Sequence, residues 1–320
     1  MSEIENSKFA ENLNDQIDLL ELFSVLVLGI RFIVSITIFF SIIGIIYSLL
    51  LPNIYKSEAL LAPVDESSSL SGGSLNQVSG LAGLAGLALP SADTGSNANK
   101  AIQVMGSLSF FENYIMPKIF LPDLMAVKSW DEKKNIMIYD ESVFKKNSNS
   151  WVNHSPNSEI SFPSAQQSFE VFKGHFNMLQ DENGYIVLSM KHQSPSLAKK
   201  WIEIFVEEIN TFYRQKDKLE SEKAVVFLNE QIASTSYSEI RAVTASILEK
   251  EIQKLTLIEA NTDYVFEYVN PPSVMEKKSE PYRSLIVILF AIFGLVLGGV
   301  IVLFRHYFSK ENNTVKKINS

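Results

Sequence analysis

Four histidines, His154, His175, His192 and His306, are the side chains best suited to move protons or bind metal near neutral pH. Their spacing suits neither task. No H-E-x-x-H pair occurs and no two histidines stand at metal-ligand spacing. A long uncharged run separates His306 from the other three. Each is read as a surface or capping histidine. Glu220 and Glu222 could form a carboxylate pair, but Lys216, Lys218 and Lys223 surround them in one helical run, which makes a solvated face. Gly72 and Gly73 precede Ser and Leu rather than Lys, so there is no G-x-x-x-x-G-K-[ST] phosphate loop. No G-x-S-x-G elbow occurs. The chain has no cysteine, hence no thiolate nucleophile, disulfide or cysteine-bound zinc. These patterns lead to the expectation of no catalytic residue, no cofactor and no metal.

The elements that would have to hold such residues point elsewhere. The chain has 320 residues and a formal charge of -8, which argues against a nucleic-acid binder with its basic face. Phe32 to Tyr55 carries no charged residue and lies between Arg31 and Lys56. Ser284 to Phe304 is likewise uncharged, between Arg283 and Arg305. About 20 apolar residues cross a bilayer. Both runs are therefore expected to be transmembrane helices. The first has an acidic leader and no A-x-A site, so it is expected to be a retained anchor. Arg305, Lys310, Lys316 and Lys317 favour a cytoplasmic tail. The expected layout is a cytoplasmic tail over 1–31, a span over 32–55, an external domain over 56–283, a second span over 284–304 and a cytoplasmic tail over 305–320.

Along the chain, Ile17 to Arg31 has helical apolar spacing, fit to lie on the inner membrane surface. Tyr55 to Ala62 reads as a strand leaving the membrane. Residues 64–100 are rich in Ser, Gly and Ala and contain the repeat LAGLAGLAL over Leu81 to Leu89. They read as a flexible loop with an apolar patch, or as a small-residue packing surface. Ile102, Met105, Leu108 and Phe111 to Ile115 recur at helical spacing until Pro117 and Pro122. Residues 140–168 read as polar and irregular. Phe172 to Gln193 reads as two strands about the turn Asp181-Glu182-Asn183-Gly184.

From Ser196 to Asn270 there is neither glycine nor proline. Trp201, Phe205, Ile209, Phe212 and Leu219 form a helical stripe. "STSYSEI" interrupts the pattern, and Ser236 with Glu239 has capping-box spacing for a second helix to about Ala260. If nearly continuous, Ser196 to Ala260 would extend over roughly 90 Å. Such a helix must protrude or pack on another copy, which predicts a homo-oligomer. Asp263 to Val269 alternates like a returning strand.

Pro271 and Pro272 should stop that strand, because proline cannot donate to a ladder. With Pro281 they hold the lead-in to the second span partly extended, a stiffer join than a Gly/Ser linker. Gly294 and Gly298 form a G-x-x-x-G in that span, followed by Gly299, and Gly44 with Ser48 makes a small-x-x-x-small in the first. Such spacing lets helix backbones approach closely.

This order of parts resembles the chain-length determinant family of bacterial polysaccharide co-polymerases, the Wzz-type regulators of O-antigen length. The segments that carry the resemblance are "DLLELFSVLVLGIRFIV", "YKSEALLAP", "IQVMGSLSFFENYI", "GYIVLSMKHQSPSLAKKWIEIFVEEIN" and "EYVNPPSVMEKKSEPYRSLIV". The resemblance implies an α+β inner-membrane protein whose two transmembrane helices flank a periplasmic α/β domain with a long protruding helix. It implies a non-enzyme that assembles in several copies. Its partners would be a separate O-antigen polymerase and lipid-linked polysaccharide, whose modal chain length it sets. A capsule or exopolysaccharide regulator is the alternative within the family, and the short tail with Tyr307 alone favours O-antigen. A membrane-anchored periplasmic sensor is the alternative of another class. A doubly anchored periplasmic glycosidase is a third, but no carboxylate pair is singled out for it.

Overall fold

The computed structural model describes residues 19–64, 94–152 and 163–318. In chain order the elements are α1 (Leu19–Leu28), α2 (Ile30–Leu50), β1 (Tyr55–Pro63), α3 (Thr94–Met105), α4 (Leu121–Met125), β2 (Val127–Asp131), β3 (Ile136–Tyr139), β4 (Phe144–Lys145) and β5 (Ser150–Trp151). They continue with α5 (Ala165–His175), β6 (Phe176–Gln180), β7 (Ile186–His192), α6 (Pro195–Ser234), α7 (Ser238–Ala260), β8 (Phe266–Asn270) and α8 (Arg283–Ile318). The Leu81–Leu89 repeat, Gly72, Gly73 and His154 lie outside the described residues. The chain divides into two units, one of residues 1–52 with 280–320 and one of residues 53–279.

The first unit is helical. Ile30–Leu50 and Arg283–Phe308 are each long and apolar enough to cross a membrane. The uncharged run from Phe32 to Tyr55 holds most of α2 and then becomes β1 after Pro52. Helix α1 is separate from α2, with Gly29 at the joint.

The second unit mixes helix and antiparallel sheet. Its main sheet has the order β6-β7-β1-β8. β1 is central, with Tyr55 opposite His192 and Leu61 opposite Ile186. Its inward residues alternate: Tyr55, Ser57, Ala59 and Leu61 are buried. β6 and β7 form a hairpin whose turn is held by Asp181 Oδ1, which accepts from the N–H groups of Asn183 (2.9 Å) and Tyr185 (2.8 Å). Gly184 sits there at φ +86°, where a side chain would be strained.

The core lies where α6 crosses this sheet. Ile202, Phe205 and Ile209 are fully covered and pack with Leu61, Leu188, Met190 and Phe266. Phe110, Phe111 and Phe172 complete it, with the Phe172 and Phe205 rings stacked at 5.8 Å. One polar residue is locked into this core. Asn210 Oδ1 accepts from the N–H groups of Val265 (2.9 Å) and Phe266 (3.0 Å), and its Nδ2 donates to the Phe266 carbonyl (2.8 Å). It thereby ties α6 to the start of β8.

Several local expectations change. Phe172 to His175 is the end of helix α5, not strand, so only Phe176 to His192 forms the hairpin. Helix α5 opens with a capping box: Ser164 Oγ accepts from the Gln167 N–H, and Gln167 Oε1 accepts from the Ser164 N–H. Residues 140–168 therefore contain β4, β5 and this helix start. The helical spacing after Ile102 is broken at Gly106, and Phe111–Ile115 continues as a π-helical turn. Helix α7 has Tyr237 as its N-cap without a side-chain bond, so Ser236 does not cap it. The 90 Å reach is not realised. Helix α6 alone is about 60 Å long over its 40 residues. After Thr235–Tyr237 the chain folds back, since Lys218 ion-pairs with Glu259 and Tyr264 Oη donates to Asp217 Oδ2 at 2.7 Å.

Candidate functional site: a glycine-seated helix pair and an exposed hairpin

In the first unit, α2 and α8 lie against each other along their lengths. Gly294 and Gly298 face α2 at the positions of closest approach. A Cβ added at Gly294 would stand 3.0 Å from Thr37 Cα and 3.0 Å from Phe40 Cβ. One at Gly298 would stand 3.1 Å from Ile33 Cα. On the other helix, a Cβ at Gly44 would stand 2.8 Å from Phe290 Cβ. Gly299 differs, with Leu26 Cδ2 at an ordinary 3.6 Å. Ser48 is buried and donates to the Ile45 carbonyl of its own helix, leaving no bond to the partner helix from its hydroxyl. Edge-to-face contact between Phe40 and Phe293 (5.3 Å) fills the gap beside Gly294. Gly29 was not singled out in the sequence, yet it is equally constrained: an added Cβ would collide with Val302. Its position between two apolar helical runs was the available signal.

In the second unit, β8 ends at Asn270 and Pro271 follows, exposed, while Pro272 is buried. The segment after them is tied to the chain entering β1. Ser57 Oγ donates to the Ser273 carbonyl (2.8 Å), the Ser279 N–H donates to the Ile54 carbonyl (2.8 Å), and Lys278 Nζ reaches Asn53 Oδ1 (3.4 Å). Entry and exit strands thus leave this unit side by side. Pro281 belongs to the helical unit, and its peptide bond to Glu280 is cis.

The distal half of α6 and the whole of α7 form the hairpin. Val226, Phe227, Tyr237, Ile240, Val243 and Ile247 are all exposed there, with Val243 at 62%. A shallow groove of about 320 Å³ runs over Leu219, Val226 and Phe227, with Glu222, Lys223 and Glu230 on its rim. Ser221 is buried at the hairpin seam with no hydrogen bond to its hydroxyl. Near the hairpin base the Lys218 ammonium is held above its usual pKa by hydrogen bonding to Glu259, whose carboxyl is held below its own. Both are exposed, and such pairs add little stability.

The histidines take different roles. His192 is buried; its Nδ1 accepts from the Ser194 N–H (2.9 Å) and its Nε2 lies 2.9 Å from the Asp123 carbonyl. That pairing makes Nε2 the protonated nitrogen. Burial pushes its pKa down to about 4, with the His175 ring 6.3 Å away adding to the effect. His175 Nδ1 sits 2.8 Å from the Lys191 carbonyl. Asp123 also accepts from Tyr139 Oη at 2.6 Å, and burial raises the carboxyl's pKa. This group joins the β2–β3 hairpin to the main sheet. Among the described residues no three His, Cys, Asp or Glu side chains gather as a metal site. Glu222 lies 4.0 Å from Lys218 on the exposed face of α6. His306 lies in α8.

Residues 15–116 match the family model of Wzz, chain length determinant protein. The match covers about a third of the chain. Within it fall α1, α2, β1 and α3, so the Wzz match takes in the first apolar helix and the central strand. No curated protein matches the chain by sequence. Among solved structures, a full-length bacterial polysaccharide co-polymerase is 14% identical over 92% of this chain and 99% of its own, at a TM-score of 0.42. A fragment of the WzzB polysaccharide co-polymerase from Salmonella Typhimurium is 12% identical over 71% of this chain and 100% of its own, at 0.34. A point mutant of the Shigella flexneri lipopolysaccharide O-antigen chain-length regulator is 10% identical over 71% and 100%, at 0.26.

Proposed function

We propose that the whole chain is a polysaccharide co-polymerase that sets the modal length of lipopolysaccharide O-antigen without catalysing polymerisation itself. The observation that carries this reading is the Wzz match over residues 15–116, joined in one chain to a second apolar helix at Arg283–Phe308. On this reading α2 and α8 cross the bacterial inner membrane, both termini are cytoplasmic, and residues 56–283 lie in the periplasm. Copies associate through the hairpin of α6 and α7, whose exposed apolar side chains one copy leaves uncovered. The partners are a separate O-antigen polymerase and its lipid-linked product. Pro271, Pro272 and Pro281 fix how the periplasmic part stands on its spans. Gly44, Ser48, Gly294, Gly298 and Gly299 let the spans pack.

The test is a lipopolysaccharide ladder from a deletion strain carrying the gene at matched expression. The expected result is a modal band cluster that disappears on deletion while polymer is still made. Gly294→Leu with Gly298→Leu should insert normally but broaden the distribution, because leucine blocks the approach to Thr37 and Ile33. Replacing the three prolines with alanine should shift it less. An unchanged ladder on deletion would reject the reading, and total loss of polymer would argue against a pure length regulator.

A further inference from the structure

Between α4 and α5 in the chain, β2–β3 and β4–β5 form two small ribbons that pair with neither the main sheet nor each other. Their side chains build a ring cluster centred on Phe144. Trp151 lies 5.1 Å from it, Tyr139 5.6 Å and Phe120 6.0 Å, all at steep angles. Phe144 is buried, whereas Phe120 is nearly half exposed. Phe120, Phe144 and Trp151 line a wide, shallow cleft of about 670 Å³ that also runs along Pro122 and the start of α5. That volume is in the range of small-molecule sites. Besides Ser164, whose hydroxyl caps α5, two polar residues border it, Glu112 and Asn149. Neither has a side-chain hydrogen bond or ion pair among the described residues. Asn149 is fixed at φ +48°, a left-handed position at the end of a 3-10 turn.

The ribbons thus bring aromatic rings to one cleft with two exposed polar groups, a carboxylate from the Phe111–Ile115 turn and the Asn149 amide. A pyranose has matching chemistry: an apolar C–H face that packs on an aromatic ring, and hydroxyls that donate to a carboxylate and pair with an amide. A lipid chain would leave Glu112 and Asn149 unmatched, and a phosphate would be repelled by Glu112. We propose that this cleft binds a sugar ring of a glycan, with Phe120 and Trp151 as the stacking platform and Glu112 and Asn149 as hydroxyl partners. This rests on the proposed role in polysaccharide length, and names where the growing polymer touches the domain.

The test uses the full chain in phospholipid nanodiscs, which avoids sugar-headed detergents. The probe is the O-polysaccharide released by mild acid from the host strain's lipopolysaccharide, with dextran as a second glycan. Saturation-transfer NMR from protein aromatic protons should reach pyranose ring protons of the host polysaccharide. Phe120→Ala with Trp151→Ala should cut the transfer at least tenfold, and Glu112→Gln several-fold, with unchanged circular dichroism. No transfer to host polysaccharide, or equal transfer in wild type and the double variant, overturns the cleft. The ladder separates the two ideas. A deletion that alters the ladder while glycan fails to bind sinks the cleft and leaves the function standing. An unaltered ladder with ring-dependent binding does the reverse.

Discussion

Helix α6 has two halves that share one sequence rhythm and differ in what covers them. From Pro195 to Tyr213 its apolar residues are buried against the sheet and the phenylalanine cluster; from Arg214 to Ser234 the described core does not reach it. The stripe Trp201, Phe205, Ile209, Phe212, Leu219 passes through both. Trp201 is 3% exposed and Leu219 52%. Helical periodicity announces that a face wants cover, but the cover is tertiary. For the first half it comes from β7, just before it in the chain, and from β1 and β8, which are distant in sequence. For the second half, among the described residues, only α7 lies alongside, and apolar side chains on both helices stay exposed.

The largest contrast should appear on truncation. Phe205→Ala empties a site packed by Phe110, Phe172 and Phe176, and should cost about 3–5 kcal/mol of unfolding free energy. Phe227→Ala should cost far less, since more than half of that side chain already meets solvent. Urea unfolding of the two variants, followed by near-ultraviolet circular dichroism, measures the difference. Similar losses would mean the two halves are equally part of one core.

The strand that leads into the buried half, β7, carries a pH dependence at its last residue. The neutral His192 is enclosed with a folded pKa of about 4, below the 6.5 of an exposed imidazole. The unfolded chain therefore binds a proton first as pH falls. Stability from this group is complete above about pH 6.5 and declines between there and pH 4, by about 3 kcal/mol at the limit and about 2 by pH 5. Asp123 acts in the opposite sense. Its carboxyl is raised by burial above the usual 3.8, so it regains stability as pH drops through its folded pKa and offsets part of the loss toward the acid end of the His192 window. Urea midpoints at pH 7.5 and 5 should differ for wild type and converge for His192→Gln, whose amide can still donate to the Asp123 carbonyl. An equal pH slope in the variant would remove His192 as the source.

What was legible in the sequence follows the same divide between local and distant causes. The Asp181–Gly184 turn was visible because its chemistry is local: one aspartate oxygen and one glycine at positive φ make it. The two long apolar helices were visible from composition alone. The break at Thr235–Tyr237 was visible, though not as a fold-back, because the contacts of Lys218 with Glu259 and of Asp217 with Tyr264 join residues far apart in sequence. Helix α5 was overlooked although Ser164 and Gln167 stand at capping-box spacing. Phe172 to Phe176, read as the start of a strand, also fits a helix end. The ring cleft left no local trace: Phe120, Phe144 and Trp151 meet only after two ribbons fold. Asn210 could have been noticed as an amide beside an apolar helical stripe, but its partners at Val265 and Phe266 could not.

The smallest expected change in folding energy is also the one that says most about the open half. Val226 and Phe227 project from α6 at 59% and 58% exposure, beside Glu222, Lys223 and Glu230. Replacing both with serine removes apolar surface without adding charge. The folded monomer should change by no more than about 0.5 kcal/mol, because no packed neighbour is lost. Assembly should respond more. If copies cover this face, its apolar area leaves water on association, and its removal should lower the mass of nanodisc- or detergent-extracted protein by light scattering. A parallel Ile240→Ser and Val243→Ser change on α7 tests whether the second helix shares the contact. Unchanged mass in both variants would show that another copy does not cover the hairpin. A monomer destabilised by more than 1 kcal/mol would show that the distal half of α6 already has its cover within one chain, and the distinction between the halves would fail.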